Sequence, residues 1–174
     1  PFLVDTTRAR RPRRDLYAEA VERGYVVLST SGEPYPIKNT DFDAALVDLT
    51  NPAARQWLKE VIKTELLGTG VSGWMADFGE ALPFDAKLHD NADPFIEHNR
   101  YPERWAALNA EAVKEANAEM ETLFFMRSGF SCSPQDASLF WTGDQLTSWS
   151  ARDGIRSALR ALLSSGFSGF SLNH

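Results

Sequence analysis

Cysteine is nearly absent from this sequence: Cys132 is alone, so an internal disulfide and a cysteine zinc site are both excluded. Histidine is sparse too, and His89, His98 and His174 lack the spacing of metal ligands. No run is long and apolar enough to span a membrane. No glycine-rich phosphate turn follows any strand-like segment, which weakens a nucleotide-binding reading. Positive charge is short overall: the net charge is −6, against a general nucleic-acid footprint. The local exception, Arg8 to Arg14, reads either as an anion-binding patch or as a solvated loop before a helix. What is abundant is aromatic: five Trp and eleven Phe in 174 residues, enough for a large core or an aromatic-walled pocket. The remaining composition is that of an ordinary globular domain, 43% hydrophobic and 24% charged.

Helical and strand-like patterns alternate along the chain. Asp15 is placed to cap a helix over residues 16–23 that Gly24 closes. Residues 25–28 read as a strand, 29–43 as a loop or hairpin, and 44–49 as a short buried strand. Asn51 and Pro52 together mark a helix start, and the helix should run to about Leu67 before Gly68 and Gly70. A strand over 71–77 is followed by a long irregular stretch, 78–99, of the kind that is usually functional or disordered. A helix is expected over about 102–120, strands over 123–127 and 138–141, a helix over 151–164 and a last strand over 167–172. Strands alternating with helices predict an α/β protein with a parallel sheet, either doubly wound or a (β/α) barrel.

The polar residues favour the barrel. Asp48, Asp77, Arg127 and Asp144 each stand at or just past the carboxyl end of an apolar segment. In a barrel such ends converge on one pocket, whereas a doubly wound sheet usually binds at one switch point. Asp77 sits among Trp74, Met75 and Phe78, where an acid is costly unless it is paired or employed; capping a turn is the plain alternative. Glu80 either orients Asp77, holds a ligand hydroxyl or is simply exposed. Gly143 lets the backbone turn sharply before Asp144, itself a cap or a catalytic acid, with Gln145 next. Trp141 stacks on a ring-shaped ligand or fills the core. Arg127 steadies a carboxylate, holds hydroxyls or makes a structural ion pair. Asp48, just before the cap at Asn51, reads as structural.

These segments carry a resemblance. Gly73-Trp74-Met75-Ala76-Asp77-Phe78-Gly79-Glu80 resembles the nucleophile segment of glycoside hydrolase family 31, and Trp141-Thr142-Gly143-Asp144 its acid/base segment. Met126-Arg127-Ser128-Gly129-Phe130 resembles the arginine segment between them, and Val47-Asp48-Leu49-Thr50-Asn51-Pro52 the pattern before the nucleophile strand. The resemblance implies the central portion of a (β/α)₈ TIM barrel and a retaining α-glycosidase that works through a covalent glycosyl–aspartate. Asp77 would be the nucleophile and Asp144 the general acid/base. Arg127 and Trp141 would line the sugar subsite, and Glu80 would support the nucleophile loop. Met75, Phe78, Gln145 and His174 are counted with the substrate-binding or supporting residues. No cofactor and no metal are implied.

Many family members read Asp-Met-Asn-Glu and Gly-Asp-Asn where this chain reads Asp77-Phe78-Gly79-Glu80 and Gly143-Asp144-Gln145. Both variants resemble the sulfoquinovosidase branch, which cleaves α-glycosides of 6-deoxy-6-sulfoglucose. That branch holds the sulfonate through residues that would lie before Pro1 and after His174. An α-glucosidase or α-xylosidase of the same family stays open, as does a non-catalytic sugar-binding relative. A metal-dependent barrel hydrolase, which a chelator would silence, is a further reading. The expected partner is a carbohydrate, an α-glycoside with or without a sulfonate, and not nucleic acid or membrane; the oligomeric state is left open. The chain begins without Met and stops beside a strand, so it is expected to be one piece, 1–174, of a catalytic domain with flanking β domains, located in the cytoplasm. Fewer than eight strands are visible, and an open sheet exposes its edges. The piece alone is therefore expected to be inactive and poorly soluble.

Overall fold

The computed structural model describes residues 1–4, 14–38 and 42–174. The arginine run through Arg13 lies outside them. Arg14 is described, and it pairs with Glu19 (2.8 Å) and Glu65 (3.3 Å).

Strands and helices come in the order β1 (Phe2–Val4), α1 (Leu16–Glu22), β2 (Ile37–Lys38), β3 (Asp43–Leu46), α2 (Pro52–Val61), β4 (Gly73–Ala76), α3 (Pro94–Glu115), β5 (Leu123–Met126), β6 (Leu139–Phe140), α4 (Ile155–Phe167) and β7 (Leu172–Asn173). Local chemistry sets most of these bounds. The Asp15 side chain accepts from the Ala18 N–H at 3.0 Å and starts α1. Asn51 does the same for α2 through Ala53 (2.9 Å), with Pro52 supplying a preset φ at the first helical position. Past Val61, α2 continues as a wide turn over Ile62–Leu66 and a tight one over Leu67–Thr69, so the expected helix to Leu67 is present but irregular in its second half.

Two sheets form. β4, β5, β6 and β7 make a parallel sheet in that order, each strand in sequence beside its predecessor. This is half of the eight strands a closed (β/α) barrel has. The first part of the chain departs from a single parallel sheet: β1 and β2 flank β3, and both pair antiparallel to it. Residues 25–28 form no strand and make only isolated bridges, Val26 to Val47 and Leu28 to Pro34 and Lys87. The last strand starts later than expected, because α4 runs through Phe167 and past Gly166.

The structure departs most from the sequence pattern at α3. It begins at Pro94, inside the stretch expected to be irregular, and ends at Glu115 instead of Met120. Asp93 accepts from the Phe95 N–H at 2.9 Å and Pro94 follows it, repeating the start of α2. Pro102, where the sequence pattern puts the helix start, lies buried inside it. Glu97, Tyr101, Trp105, Leu108 and Ala112 form the buried stripe at helical spacing.

That stripe packs on one face of the parallel sheet, where Trp74, Ala76, Phe124 and Met126 point by strand alternation. Trp74 stacks on Phe124 with ring centroids 5.9 Å apart, and its Nε1 donates to Asn109 at 2.8 Å. Asn109 is fully buried, and its amide nitrogen donates to the Trp105 carbonyl at 2.8 Å, so this buried polar group is satisfied on both sides. The opposite face holds Gly73, Met75, Leu123, Phe125, Leu139 and Leu172 and is open: Met75 is 43% exposed, Leu123 45% and Leu172 53%.

Asp48 is structural. It is buried, and its carboxylate accepts from the Thr50 N–H (2.9 Å), the Thr50 hydroxyl (2.7 Å) and the His89 N–H (2.7 Å). It joins the start of α2 to the loop before α3. Nearby, the buried Tyr101 hydroxyl donates to the Val47 carbonyl at 2.7 Å. Burial, and then the Asp48 charge, hold this phenol well above its ordinary pKa, so it stays a neutral donor. Among the described residues no helix is long and apolar enough to cross a membrane.

Candidate active site

Alternation along β4 to β7 places the site. Met75 is beside Phe125, Phe125 beside Leu139, and Leu139 beside Leu172, all on the open face. Two residues further along each strand direction, on the same face, come Asp77, Arg127, Trp141 and His174. The backbone ladder continues to this level: Trp141 N donates to Met126 O (2.7 Å), His174 N to Phe140 O (3.0 Å) and Thr142 N to His174 O (2.9 Å). Four sequence-predicted residues thus form one tier at the carboxyl ends of four neighbouring parallel strands, where barrel enzymes keep their catalytic groups. Phe125, one tier below, presents its ring edge-on to both Trp141 (6.3 Å) and His174 (5.0 Å) and braces them.

The charged half of the tier is a chain of ion pairs. Arg127 Nε lies 3.3 Å from Asp77 Oδ1 and 2.9 Å from Glu80 Oε1, and its Nη2 also donates to Glu80. Glu80 therefore reaches Asp77 through Arg127. The guanidinium also sits over the Phe78 ring, 4.0 Å from its centroid, a cation–π contact that fixes the plane of the arginine. Asp77 Oδ1 accepts from the Phe78 N–H at 2.9 Å. Met75 is one tier below Asp77 and partly exposed.

Asp144 is placed differently. Gly143 has φ +86, the left-handed turn expected of it, and Asp144 follows on an exposed loop. Among the described residues Asp144 makes no hydrogen bond or ion pair. Gln145 turns away from the tier: its Nε2 donates to Thr142 O (3.0 Å), and its Oε1 accepts from the Ser157 hydroxyl (3.1 Å) at the start of α4. A cleft of about 490 Å³ adjoins the tier, bordered by Glu80, Arg127, His98, Asn99, Thr142 and Gly143. In the sequence His98 is only a scattered histidine. Its Nδ1 is committed to the Leu82 carbonyl at 2.6 Å, and Phe84 stacks on its ring 4.2 Å away. No spacing in the sequence marks it, because its partner is a backbone carbonyl. Among the described residues, no group of His, Cys, Asp or Glu is arranged to hold a metal ion.

Residues 3–173 match the family model described as the glycosyl hydrolases family 31 TIM-barrel domain. The chain belongs to glycoside hydrolase family 31. Among family 31 proteins, it is 44% identical over 161 residues to the sulfoquinovosidase of Escherichia coli, covering 92% of this chain and 24% of that protein. It is 40% identical over 160 residues to the sulfoquinovosidase of Agrobacterium fabrum, with 91% and 24% covered. Among solved structures, a family 31 sulfoquinovosidase from E. rectale in complex with the aza-sugar inhibitor IFGSQ superposes with a TM-score of 0.87 at 42% identity, over 92% of this chain and 24% of that one. The chain thus spans about a quarter of the length of each of these three relatives.

Proposed function

We propose that this chain carries the catalytic tier of a retaining α-glycosidase whose substrates are α-sulfoquinovosides. The observation that supports the chemistry most is the tier itself: a carboxylate, Asp77, held by Arg127 at the carboxyl end of a parallel strand, facing the open side of the sheet. The choice of sugar rests on the sulfoquinovosidases among the relatives.

In this reading the reaction runs in two displacements. Asp77 attacks the anomeric carbon and forms an ester bond as the bond to the leaving oxygen breaks. The bond's electron pair stays on that oxygen, which takes the proton of Asp144. A water then attacks the same carbon and gives its proton back to Asp144. The Asp77 ester opens, and the sugar leaves with its configuration retained. Arg127 aims the Asp77 carboxylate through its ion pair and holds Glu80 as a second partner. Trp141 and His174 supply the wall on which a sugar ring rests. Two carboxyl groups in these roles stand about 5–5.5 Å apart in a retaining site.

Substrate choice is tested on the full-length enzyme by comparing kcat/KM for an aryl α-sulfoquinovoside and the matching aryl α-glucoside. A preference of at least about a hundredfold for the sulfonate is expected, the scale on which a site built around a charged group rejects a substrate lacking it. An equal or greater kcat/KM for the glucoside would remove sulfoquinovose and leave an α-glucosidase. The aryl α-xyloside is measured beside them, and a preference for it would point to the activity named for a Lactiplantibacillus pentosus relative, an α-xylosidase 32% identical over 114 residues.

A further inference from the structure

The peptide that carries Asp77 is held by two side-chain donors that lie outside the ion-pair chain of the tier. Trp105, on α3, donates its indole N–H to the Asp77 carbonyl at 3.2 Å. Ser128, just past β5, donates its hydroxyl to the Phe78 carbonyl at 2.7 Å. Both side chains are buried, Trp105 6% and Ser128 8% exposed. Neither points to the open face of the sheet.

The turn between these two anchors is one that a free peptide avoids. Phe78 has φ +59 and Gly79 φ +119. A bulky residue at positive φ persists only where its surroundings over-determine it. Gly79 is buried in the angle between the anchors. A Cβ added there would lie 2.5 Å from Ser128 Oγ, 3.5 Å from the Trp105 ring and 3.7 Å from the Pro102 Cα. The space a side chain would need at this position is taken by the serine hydroxyl that holds the turn. The turn in turn sets the site. It aims the Phe78 N–H at Asp77 Oδ1 and slides the Phe78 ring under Arg127, which grips Asp77 and Glu80.

We propose that Trp105, Ser128 and Gly79 form a backbone clamp that positions the Asp77 carboxylate, with Trp105 and Ser128 acting as positioning residues for the step in which the glycosyl–enzyme bond forms. The proposal rests on the reading of Asp77 as nucleophile. The clamp works through the placing of one carboxylate, so its loss lowers the rate of attack and leaves ground-state binding of the sugar almost as it was.

The test uses the full-length enzyme with Trp105→Phe and Ser128→Ala, which remove one donor each and keep most of the packing. Three quantities are read on each variant: kcat and KM for the preferred aryl glycoside, the rate of covalent inactivation by an α-configured cyclitol epoxide of the same sugar, and the melting temperature. Each substitution is expected to lower kcat and the inactivation rate together by about tenfold or more, with KM little changed. Unchanged kcat and inactivation rate in both variants, beside an inactive Asp77→Asn control, would overturn the clamp and leave the nucleophile standing. A fall in activity that follows only the melting temperature, or a rise in KM at constant kcat, would also overturn it. Epoxide labelling of a residue other than Asp77 would overturn the nucleophile reading and the clamp's role with it.

Discussion

Asp77→Asn in the full-length enzyme is expected to lower kcat by at least about ten-thousandfold, the scale of loss when an enzyme's nucleophile is removed. The amide has the shape of the carboxylate but not its charge, so it cannot form the ester with the anomeric carbon. Its oxygen can still accept from the Phe78 N–H, and Arg127 keeps Glu80 as a partner. The loop should therefore stay folded, and the melting temperature should move little. This combination separates a catalytic Asp77 from a turn cap, whose loss would lower stability and leave turnover largely intact. Steady-state kinetics with an aryl glycoside, beside a thermal melt, distinguishes the two.

Asp144→Asn should give a different signature. A general acid contributes about 10²–10⁴-fold where the leaving group needs protonation. An alkyl glycoside should lose rate on that scale, while kcat/KM for a nitrophenyl glycoside or glycosyl fluoride should fall far less, because those leaving groups depart without help. Water attack on the intermediate also loses its base. Azide, which needs no deprotonation, should therefore raise kcat of the variant and yield a glycosyl azide of retained configuration. An equal loss on every leaving group with no response to azide would assign Asp144 to another role. The exposure of its loop bears on this assignment: Gly143, at φ +86, turns the chain outward beside the cleft that Glu80, Arg127 and His98 border.

The tier and the clamp differ in how far the sequence reveals them. Asp77, Arg127 and Trp141 stand out because each ends an apolar strand, and period-two alternation alone puts each on the face shared with the residue two before it. What alternation does not supply is the register across strands, which sets Asp77 beside Arg127 and so turns four strand ends into one tier. The start of α3 is written in the sequence, since Asp93-Pro94 repeats Asn51-Pro52, but it sits among polar and aromatic residues that read as loop, and Pro102 further along offers a competing helix start. The antiparallel pairing of β1 with β3 depends on long-range partners for strands of three and four residues, too short for the pattern to name a partner. Trp105 and Ser128 were illegible for another reason. Both donate to backbone carbonyls, and a carbonyl acceptor leaves no mark in the identity of the residue that bears it.

The measurement that tests the central claim most directly is the site of covalent labelling. The full-length enzyme is inactivated with an α-configured cyclitol epoxide of its preferred sugar, digested, and the modified peptide sequenced by mass spectrometry. The account predicts a single label on the carboxylate of Asp77, in the segment Gly73 to Glu80, blocked by a competitive inhibitor. A label on Glu80, Asp144 or any other residue, or sugar released with inverted configuration, would contradict it.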